Sequence, residues 1–299
     1  MTRVTSLTRQ TIRLLVLVPV AVMALNASAS AQEDVPSLGA AAGFAALAGG
    51  PAPGAVTCTG SSITGDVGVV DPGTFVADAD CTVDGVFDPD ATAAYADFLS
   101  AYAESPSISC DQTLTGTLAG ITLAPGVYCF TAAATLTGTL TLDGPADGVW
   151  IFQIGTGGTG ALTGTNFSVV MAGGAADNEC PNVYWWVSQA ATLTDSDFLG
   201  TILAGADITV NGGTFKGNAL AGGTGTTEAP TGAVTLTNTT ITACPGDGGV
   251  VVHNSGLKCN QGVGNGPEGC DPGNSNNHNP SNDERDGTRG NPGRKLGNR

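Results

Sequence analysis

The chain has 299 residues, 45 of them glycine, and a formal net charge of −16 with only 12% charged residues. An acidic, lysine-poor chain offers no electrostatic footprint for nucleic acid or an anionic membrane surface, so we expect neither partner. Because aromatic residues make up only 5%, the composition favours thin coils and tight turns over a bulky two-layer core, and the length predicts one domain.

The N-terminus has the features of a secretory signal. Arginines precede an apolar run from Leu14 to Leu25, and small residues follow in NASASAQ. That order predicts cleavage near Ala29 or Ala31, and the apolar run is too short to span a bilayer comfortably. We assign residues 1–31 to a signal peptide and expect a secreted or extracellular protein without membrane insertion; association with the cell surface stays open.

Eight cysteines in an exported chain imply disulfide bonds. Sequence does not determine their connectivity, but near-neighbour pairing predicts Cys58–Cys81, Cys110–Cys129, Cys180–Cys244 and Cys259–Cys270. There is no CxxC motif and no Cys/His cluster, so we expect no metal site.

Residues 36–87 contain short strand-like pieces, which we place as a strand or partial rung at one end of a stack of coils. A helix over about 89–104 follows. Asp88-Pro89 is typical of a helix start, and Ser105-Pro106 is typical of a stop. Between them, one apolar helical face is formed by Tyr95, Phe98, Leu99 and Tyr102.

From Thr113 onward, short β-branched runs recur at roughly 15–25 residues, separated by Gly, Asn or Asp, which predicts a β-solenoid. The fold class is therefore all-β with one long helix, and the helix lies along the solenoid axis and covers one face. Trp150, Trp185 and Trp186 sit in apolar runs, which favours a place in the core over an exposed binding platform.

Several runs alternate threonine with an apolar residue, as in Thr192-Leu193-Thr194 and Thr235-Leu236-Thr237. Neighbouring side chains on a strand point to opposite faces, so the threonines point outward when the leucines are buried. Ile208-Thr209-Val210 occupies a similar place in another run, and there the first threonine of the pattern is replaced. The outward set, which we predict to form one flat face, is Thr135, Thr137, Thr139, Thr163, Thr165, Thr192, Thr194, Thr209, Thr235 and Thr237.

Two further features bear on this face. Thr113 and Thr115 are candidates for the same column. Asp195, Asp197 and Asp207 lie near or on it, where charge would interrupt an ordered surface. Calcium binding by these carboxylates is less favoured than solvated turns, because no glycine-aspartate repeat of the calcium-solenoid type is present.

Beyond Cys244 the composition changes to Gly, Asn, Pro and Asp. Such a segment cannot bury a core. We therefore divide the chain after the signal peptide into a solenoid domain at 32–245 and a flexible tail at 246–299.

A family resemblance rests on AGFAALAG, ITGDVGV, GTLAGITLAPGVY, LTGTLTLDG, DGVWIFQIG, NVYWWVSQAATL, FLGTILAGADIT, GNALA and GAVTLTNTTI. In this order they resemble the microbial ice-binding (antifreeze) proteins. The resemblance implies a discontinuous right-handed β-solenoid of triangular cross-section with a long helix packed alongside. It also implies adsorption to ice, thermal hysteresis and inhibition of ice recrystallisation, with no cofactor and no catalytic residues.

Two other classes of function are compatible with a secreted β-solenoid. A solenoid polysaccharide lyase or hydrolase needs positioned carboxylates, usually with Lys or Arg. Lys216 is the only basic residue of the patterned domain, so we expect no enzyme. A secreted adhesin or surface structural protein without ice activity fits the solenoid, disulfides and tail equally well and stays the alternative. We expect a monomer whose partner is the ice crystal surface.

Overall fold

The computed structural model describes residues 35–50, 54–177, 180–223 and 232–244. The assigned signal peptide, the tail at 246–299 and the Cys259–Cys270 pairing lie outside the described residues. The described chain is built from parallel strands that stack as successive coils, with one α-helix alongside. No helix in this part is both long and apolar enough to cross a membrane.

The strands of the N-terminal part are β1 (Phe44–Ala48), β2 (Ala55–Thr59), β3 (Ser62–Thr64), β4 (Asp66–Val69), β5 (Thr74–Ala77), β6 (Thr82–Asp84) and β7 (Phe87–Asp88). Helix α1 (Thr92–Glu104) follows. The strands after it are β8 (Gln112–Thr113), β9 (Ile121–Leu123), β10 (Gly126–Phe130), β11 (Ala134–Gly144), β12 (Val149–Ile154), β13 (Leu162–Gly173), β14 (Asn182–Val187), β15 (Ala191–Leu199), β16 (Thr201–Ala204), β17 (Ile208–Lys216), β18 (Ala219–Ala221), β19 (Val234–Thr237) and β20 (Thr240–Thr242).

Each full coil has three sides. The side that we call the helix face is a parallel sheet in the order β7-β4-β1-β18-β16-β14-β12-β10-β8. The other two sides belong to one further sheet, whose long strands β11, β13, β15 and β17 each bend from one side onto the next. The side before the bend is called the threonine face here, and the side after it the third face.

The bend between these two sides uses left-handed backbone at the same place in successive coils. The residues there are Gly138, Asn166, Asp195, Gly212 and Asn238, with φ between 46° and 75°. Glycine, asparagine and aspartate tolerate this conformation best. Gly60 occupies the same position one coil further, where a Cβ would lie 2.7 Å from Asn238 Oδ1. The turn residues seen in the sequence therefore mark one edge of the solenoid.

The stack is discontinuous, because spatial order differs from chain order. β1 pairs with β18 in the register Ala46↔Ala219, and β2 pairs with β19. The buried Asn218 side chain reinforces the junction, since its Nδ2 donates to Ala42 O at 2.9 Å and to Phe44 O at 2.8 Å. Residues 36–87 were predicted to form a strand or partial rung at one end of the stack. They lie at one end as expected, but strands β1 to β7 form two three-sided coils and a further strand.

Helix α1 begins at Thr92, three residues later than the predicted start at 89. The Asp88 carboxylate does not cap the helix, because its Oδ1 accepts from Asp90 N at 3.0 Å in a preceding turn. The helix ends as predicted, with Ser105-Pro106 in a 3-10 turn. Its 13 residues measure about 20 Å at 1.5 Å per residue, which spans about four coils.

Two apolar layers hold the molecule together. One fills the inside of the coils and includes Trp150 and Trp185; the other lies between α1 and the helix face and includes Phe98 and Trp186. Trp150 Nε1 donates to Leu123 O at 3.1 Å, and Trp185 Nε1 donates to Leu199 O at 3.0 Å. The prediction that the tryptophans belong to the core is confirmed.

Disulfide bonds join Cys58–Cys81, Cys110–Cys129 and Cys180–Cys244, which confirms the three predicted pairings that lie within the described residues. Cys58–Cys81 links β2 to the last coil, and Cys180–Cys244 ties the chain after β20 to the segment before β14. Cys180 and Cys244 lie 64 residues apart in the chain, so their bond joins coils that are distant in sequence.

Candidate functional site

The threonine face carries a column of threonines in strict register. Adjacent strands pair Thr135 with Thr163, Thr163 with Thr192, Thr192 with Thr209 and Thr209 with Thr235. The column continues across the chain discontinuity to Thr57 and ends at Val76. Six threonines on six neighbouring coils therefore stand in one line.

A second column runs parallel to the first, two residues further along each strand. Thr165 pairs with Thr194, Thr194 with Asn211, and Asn211 with Thr237, which is followed by Thr59. Residues two apart on a strand are roughly 6.5–7 Å apart, and neighbouring strands lie about 4.8 Å apart. The two columns therefore form a two-dimensional grid of hydroxyl and methyl groups.

The residues between the columns anchor this grid to the core. Leu136, Leu193 and Leu236 alternate with the threonines, point inward and are 0% exposed. Val210 and Cys58 take the same place in two other coils. At Gly164 a side chain is missing, and a Cβ there would lie 2.8 Å from Leu193 Cδ2. Because these inward positions are packed against the core, the strands that carry the outward threonines are held in fixed positions.

The predicted members are distributed over two sides. Thr135, Thr163, Thr165, Thr192, Thr194, Thr209, Thr235 and Thr237 all lie on the threonine face. Thr137 lies at its edge, where its N–H donates to Thr117 O at 3.2 Å. Thr139 does not belong to this face: it follows the bend at Gly138 and pairs with Ser168 on the third face. A left-handed residue between Thr137 and Thr139 turns the chain through the corner.

Three other details of the predicted face are corrected. Thr113 lies in β8 on the helix face, paired with Cys129, and Thr115 lies outside the strands. In the run Ile208-Thr209-Val210, Ile208 pairs with Ala191 and is buried. Thr209 therefore holds the first position, and the second position is the one replaced, by Asn211.

Two members of the columns were missed by sequence reasoning. Thr57 and Thr59 flank Cys58 in the same alternation as the T-L-T runs, with the half-cystine Cys58 in the place of leucine. The signal was therefore present as T-C-T. Its position next to β19, across more than 170 residues of chain, followed only from the fold.

The three aspartates stand beside the grid and not within it. Asp195 is at the bend. Asp197 lies on the third face, where its Oδ1 accepts from Thr214 Oγ1 at 2.8 Å. Asp207 precedes β17, and its Oδ1 accepts from Ala233 N at 2.9 Å. The paired residues of both columns are therefore uncharged. The aspartates were predicted to lie near or on the face, and the structure places them near it.

Within the described residues there is no group of three or more His, Cys, Asp or Glu side chains placed to hold a metal ion. The clear pKa changes lie away from the grid. Burial under the helix layer raises the pKa of Tyr95 to about 12, and burial raises the pKa of Tyr102 further. The threonine face itself offers hydroxyl groups, methyl groups and one amide as its chemistry.

Comparison with known proteins agrees with this geometry. The family model described as Ice-binding-like matches residues 50–242. The chain belongs to the ice-binding-like family. It is similar to an ice-binding protein of Nostoc sp. (strain HG1), with 37% identity over 220 residues, which is 71% of this chain and 76% of that protein.

Solved structures of this family share the fold. The chain is similar to an ice-binding protein of the Antarctic ascomycete Antarctomyces psychrotrophicus, with 31% identity, a TM-score of 0.58, and coverage of 70% of this chain and 98% of that one. An ice-binding protein from an Antarctic biological consortium matches with 31% identity, a TM-score of 0.59, and coverage of 78% and 96%. Both are crystal structures of proteins described as binding ice.

Proposed function

We propose that this protein adsorbs to ice through the threonine face and thereby produces thermal hysteresis and inhibits ice recrystallisation. The observation that carries the proposal is the column of six threonines in register, from Thr135 to Thr57. Membership of the ice-binding-like family supports it independently.

The physical basis is regularity. A β-branched side chain has few χ1 states, so the threonines of a rigid sheet present their groups with little loss of freedom on binding. Each hydroxyl donates and accepts hydrogen bonds, while each methyl group favours removal from bulk water. A grid with spacings of about 4.8 Å by 6.5–7 Å holds water in an ice-like arrangement, and it contains no mobile charge to disturb it.

The same features argue against catalysis. The paired residues of both columns contain no titratable side chain, and general acid–base chemistry requires one. We therefore propose a non-enzymatic protein, and the three disulfides favour a secreted one. We also propose that the protein acts as a monomer and that residues 1–31 are its signal peptide.

The test is ice recrystallisation inhibition and thermal hysteresis of the mature, disulfide-intact protein beside Thr192→Tyr. Thr192 is exposed in the middle of the first column, between Thr163 and Thr209. A tyrosine there projects beyond the threonine side chains and holds the grid away from the ice surface. We expect loss of most of both activities with an unchanged thermal unfolding midpoint.

The matched control is Thr240→Tyr, which makes the same change at an exposed position of the third face, between Thr214 and Ser62. It should retain activity. Activity retained by Thr192→Tyr and lost by Thr240→Tyr would move the site to the third face. A folded wild-type protein without activity would overturn the proposal and favour the adhesin alternative.

A further inference from the structure

A cleft of about 400 Å³ lies beyond the C-terminal end of α1. Its walls are the segment 106–110, which follows the helix, and the turn 155–158, which follows β12. Gln153 and Trp186 also line it. The volume is within the range of small-molecule sites in proteins, roughly 300–1,000 Å³.

The floor of the cleft belongs to the helix face. Strand pairing places Cys129, Gln153 and Trp186 side by side on β10, β12 and β14. Phe152 and Ile154 point into the interior of the coils, so Gln153 between them points outward, toward the segment that follows α1. Because Gln153 is only 1% exposed, it places a buried amide at the base of an open cleft.

The oxygen of this amide has no hydrogen-bond donor. Nε2 of Gln153 donates to Ser105 O at 2.9 Å and to Ile108 O at 2.8 Å. These bonds fix the orientation of the amide, because the reverse orientation would set its oxygen against two carbonyl oxygens. Oε1 lies 3.5 Å from Cys129 Sγ, but Cys129 is bonded to Cys110 and has no S–H to donate. Oε1 therefore accepts no hydrogen bond from any described residue.

This unsatisfied oxygen adjoins the cleft. Gln153 lines the cleft, and so does Cys110, the disulfide partner of the residue next to Oε1. A buried acceptor without a donor is unfavourable, and native proteins almost always satisfy such groups with protein, water or ligand. A molecule that enters the cleft with an O–H or N–H group would supply the missing donor.

The walls offer further acceptors. Ser107 Oγ donates to Glu104 O at 2.6 Å, and Thr156 Oγ1 donates to Phe130 O at 3.2 Å. Because a hydroxyl group has one proton and two acceptor sites, both side chains are left to accept hydrogen bonds in the cleft. None of the described residues that line the cleft carries a charge. The cleft therefore suits a neutral ligand that is rich in hydroxyl donors.

We propose that this cleft binds one residue of a neutral sugar, either free or at the end of a glycan chain. The ring hydroxyls supply donors for Gln153 Oε1, Ser107 Oγ and Thr156 Oγ1. The C–H groups of the ring pack against Ile108 and Trp186, which line the same cleft. This binding is separate from adsorption to ice, because none of the threonines described in the two columns lines the cleft.

Heteronuclear NMR of the mature, disulfide-intact full chain tests this proposal by titration with glucose, galactose, mannose and N-acetylglucosamine. At least one sugar should bind saturably with a Kd on the order of 1 mM, because an open cleft buries only part of the ligand. The signals of the Gln153 side-chain amide, the Trp186 indole N–H and the backbone of 106–110 and 155–158 should shift, and those of the threonine face should not. Titration with the corresponding disaccharides distinguishes a glycan end, which binds more tightly than the single sugar, from a free sugar, which does not.

Two variants test the contacts, beside a matched control. Thr156→Val removes one acceptor with little change of shape and should weaken binding about fivefold. Thr159→Val is the control, since Thr159 is exposed in the same loop but does not line the cleft, and it should leave the Kd unchanged. Ser109→Tyr fills the cleft and should abolish binding while thermal hysteresis stays as in the wild type.

Near-ultraviolet circular dichroism of the buried tryptophans should be the same in all three variants, which separates loss of the site from loss of the fold. The absence of saturable shifts with every sugar and disaccharide, with only ordered water beside Gln153 Oε1 in a crystal structure, would overturn the proposal. Shifts confined to the threonine face, or an equal effect of Thr156→Val and Thr159→Val, would also refute it. Sugar binding by a protein without ice activity would overturn the proposed function and leave this inference standing.

Discussion

Asn218→Ala tests how the two separated parts of the chain are joined. The Asn218 side chain is 0% exposed and makes three hydrogen bonds: two from Nδ2 to Ala42 O and Phe44 O, and one accepted by Oδ1 from Thr201 Oγ1 at 2.9 Å. The change would leave two backbone carbonyls and one hydroxyl without their partner in a buried place.

Each unsatisfied buried group costs about 1–3 kcal/mol, and water entering the vacated space recovers part of that. We expect the free energy of unfolding to fall by about 3–5 kcal/mol, a large share of the roughly 5–15 kcal/mol typical of a folded protein. Urea unfolding of the disulfide-intact protein, followed by tryptophan fluorescence, measures this change.

Two variants serve as controls. Asn211→Ala removes an asparagine exposed on the threonine face and should change the free energy of unfolding by no more than about 0.5 kcal/mol. Thr201→Val removes only the third hydrogen bond and should give an intermediate loss. If Asn218→Ala unfolds at the same urea concentration as Asn211→Ala, the junction depends on strand pairing alone and the reasoning fails.

Three further predictions follow from particular residues. Replacing Cys58 and Cys81 by serine opens a loop with a sequence separation of 23 and should lower stability by about 3 kcal/mol; an unchanged urea midpoint would show that the coils hold the last turn without the bond. Burial raises the pKa of Tyr95 from 10.0 to about 12 and raises the pKa of Tyr102 as well. The two buried neutral phenols therefore contribute fully to the free energy of unfolding below pH 10, and this contribution is lost as the pH rises through their folded-state pKa. Urea unfolding between pH 8 and 12 should show this fall in the free energy of unfolding, and the double variant Tyr95→Phe/Tyr102→Phe should show a smaller fall. If the double variant loses stability with pH as steeply as the wild type, other groups cause the fall. Asn211→Thr fills the gap in the second column and should raise thermal hysteresis, whereas an unchanged value would mean that this column does not touch ice.

The sequence predicted the local features well. Alternation with period two separates the two faces of a strand, so T-L-T placed Thr192 and Thr194 outward and Leu193 inward without knowledge of any neighbour. The spacing of Phe98 and Tyr102 marked the buried side of the helix in the same way, although its start was misplaced because the Asp88 carboxylate bonds within a turn.

The errors in the candidate face have a common cause. Thr139 looked like the next outward residue after Thr137, but the left-handed Gly138 turns the chain onto another side. Thr57 was overlooked because its coil lies at the opposite end of the chain from its neighbour Thr235. Both errors concern which coil, or which side, a correctly read strand occupies.

The sequence by itself predicted the strand pattern, the outward direction of most threonines, the aromatic core and the family. The connectivity of the cysteines stayed open, and near-neighbour pairing named the pairs that the structure confirms within the described chain. These follow from local periodicity, motif order and near-neighbour spacing. Only the tertiary structure decided that the first column contains six threonines, that Asn211 is the gap, and that the aspartates stand outside the grid. Register between strands depends on contacts between residues far apart in the chain, and a one-residue shift in register would turn each threonine to the opposite face.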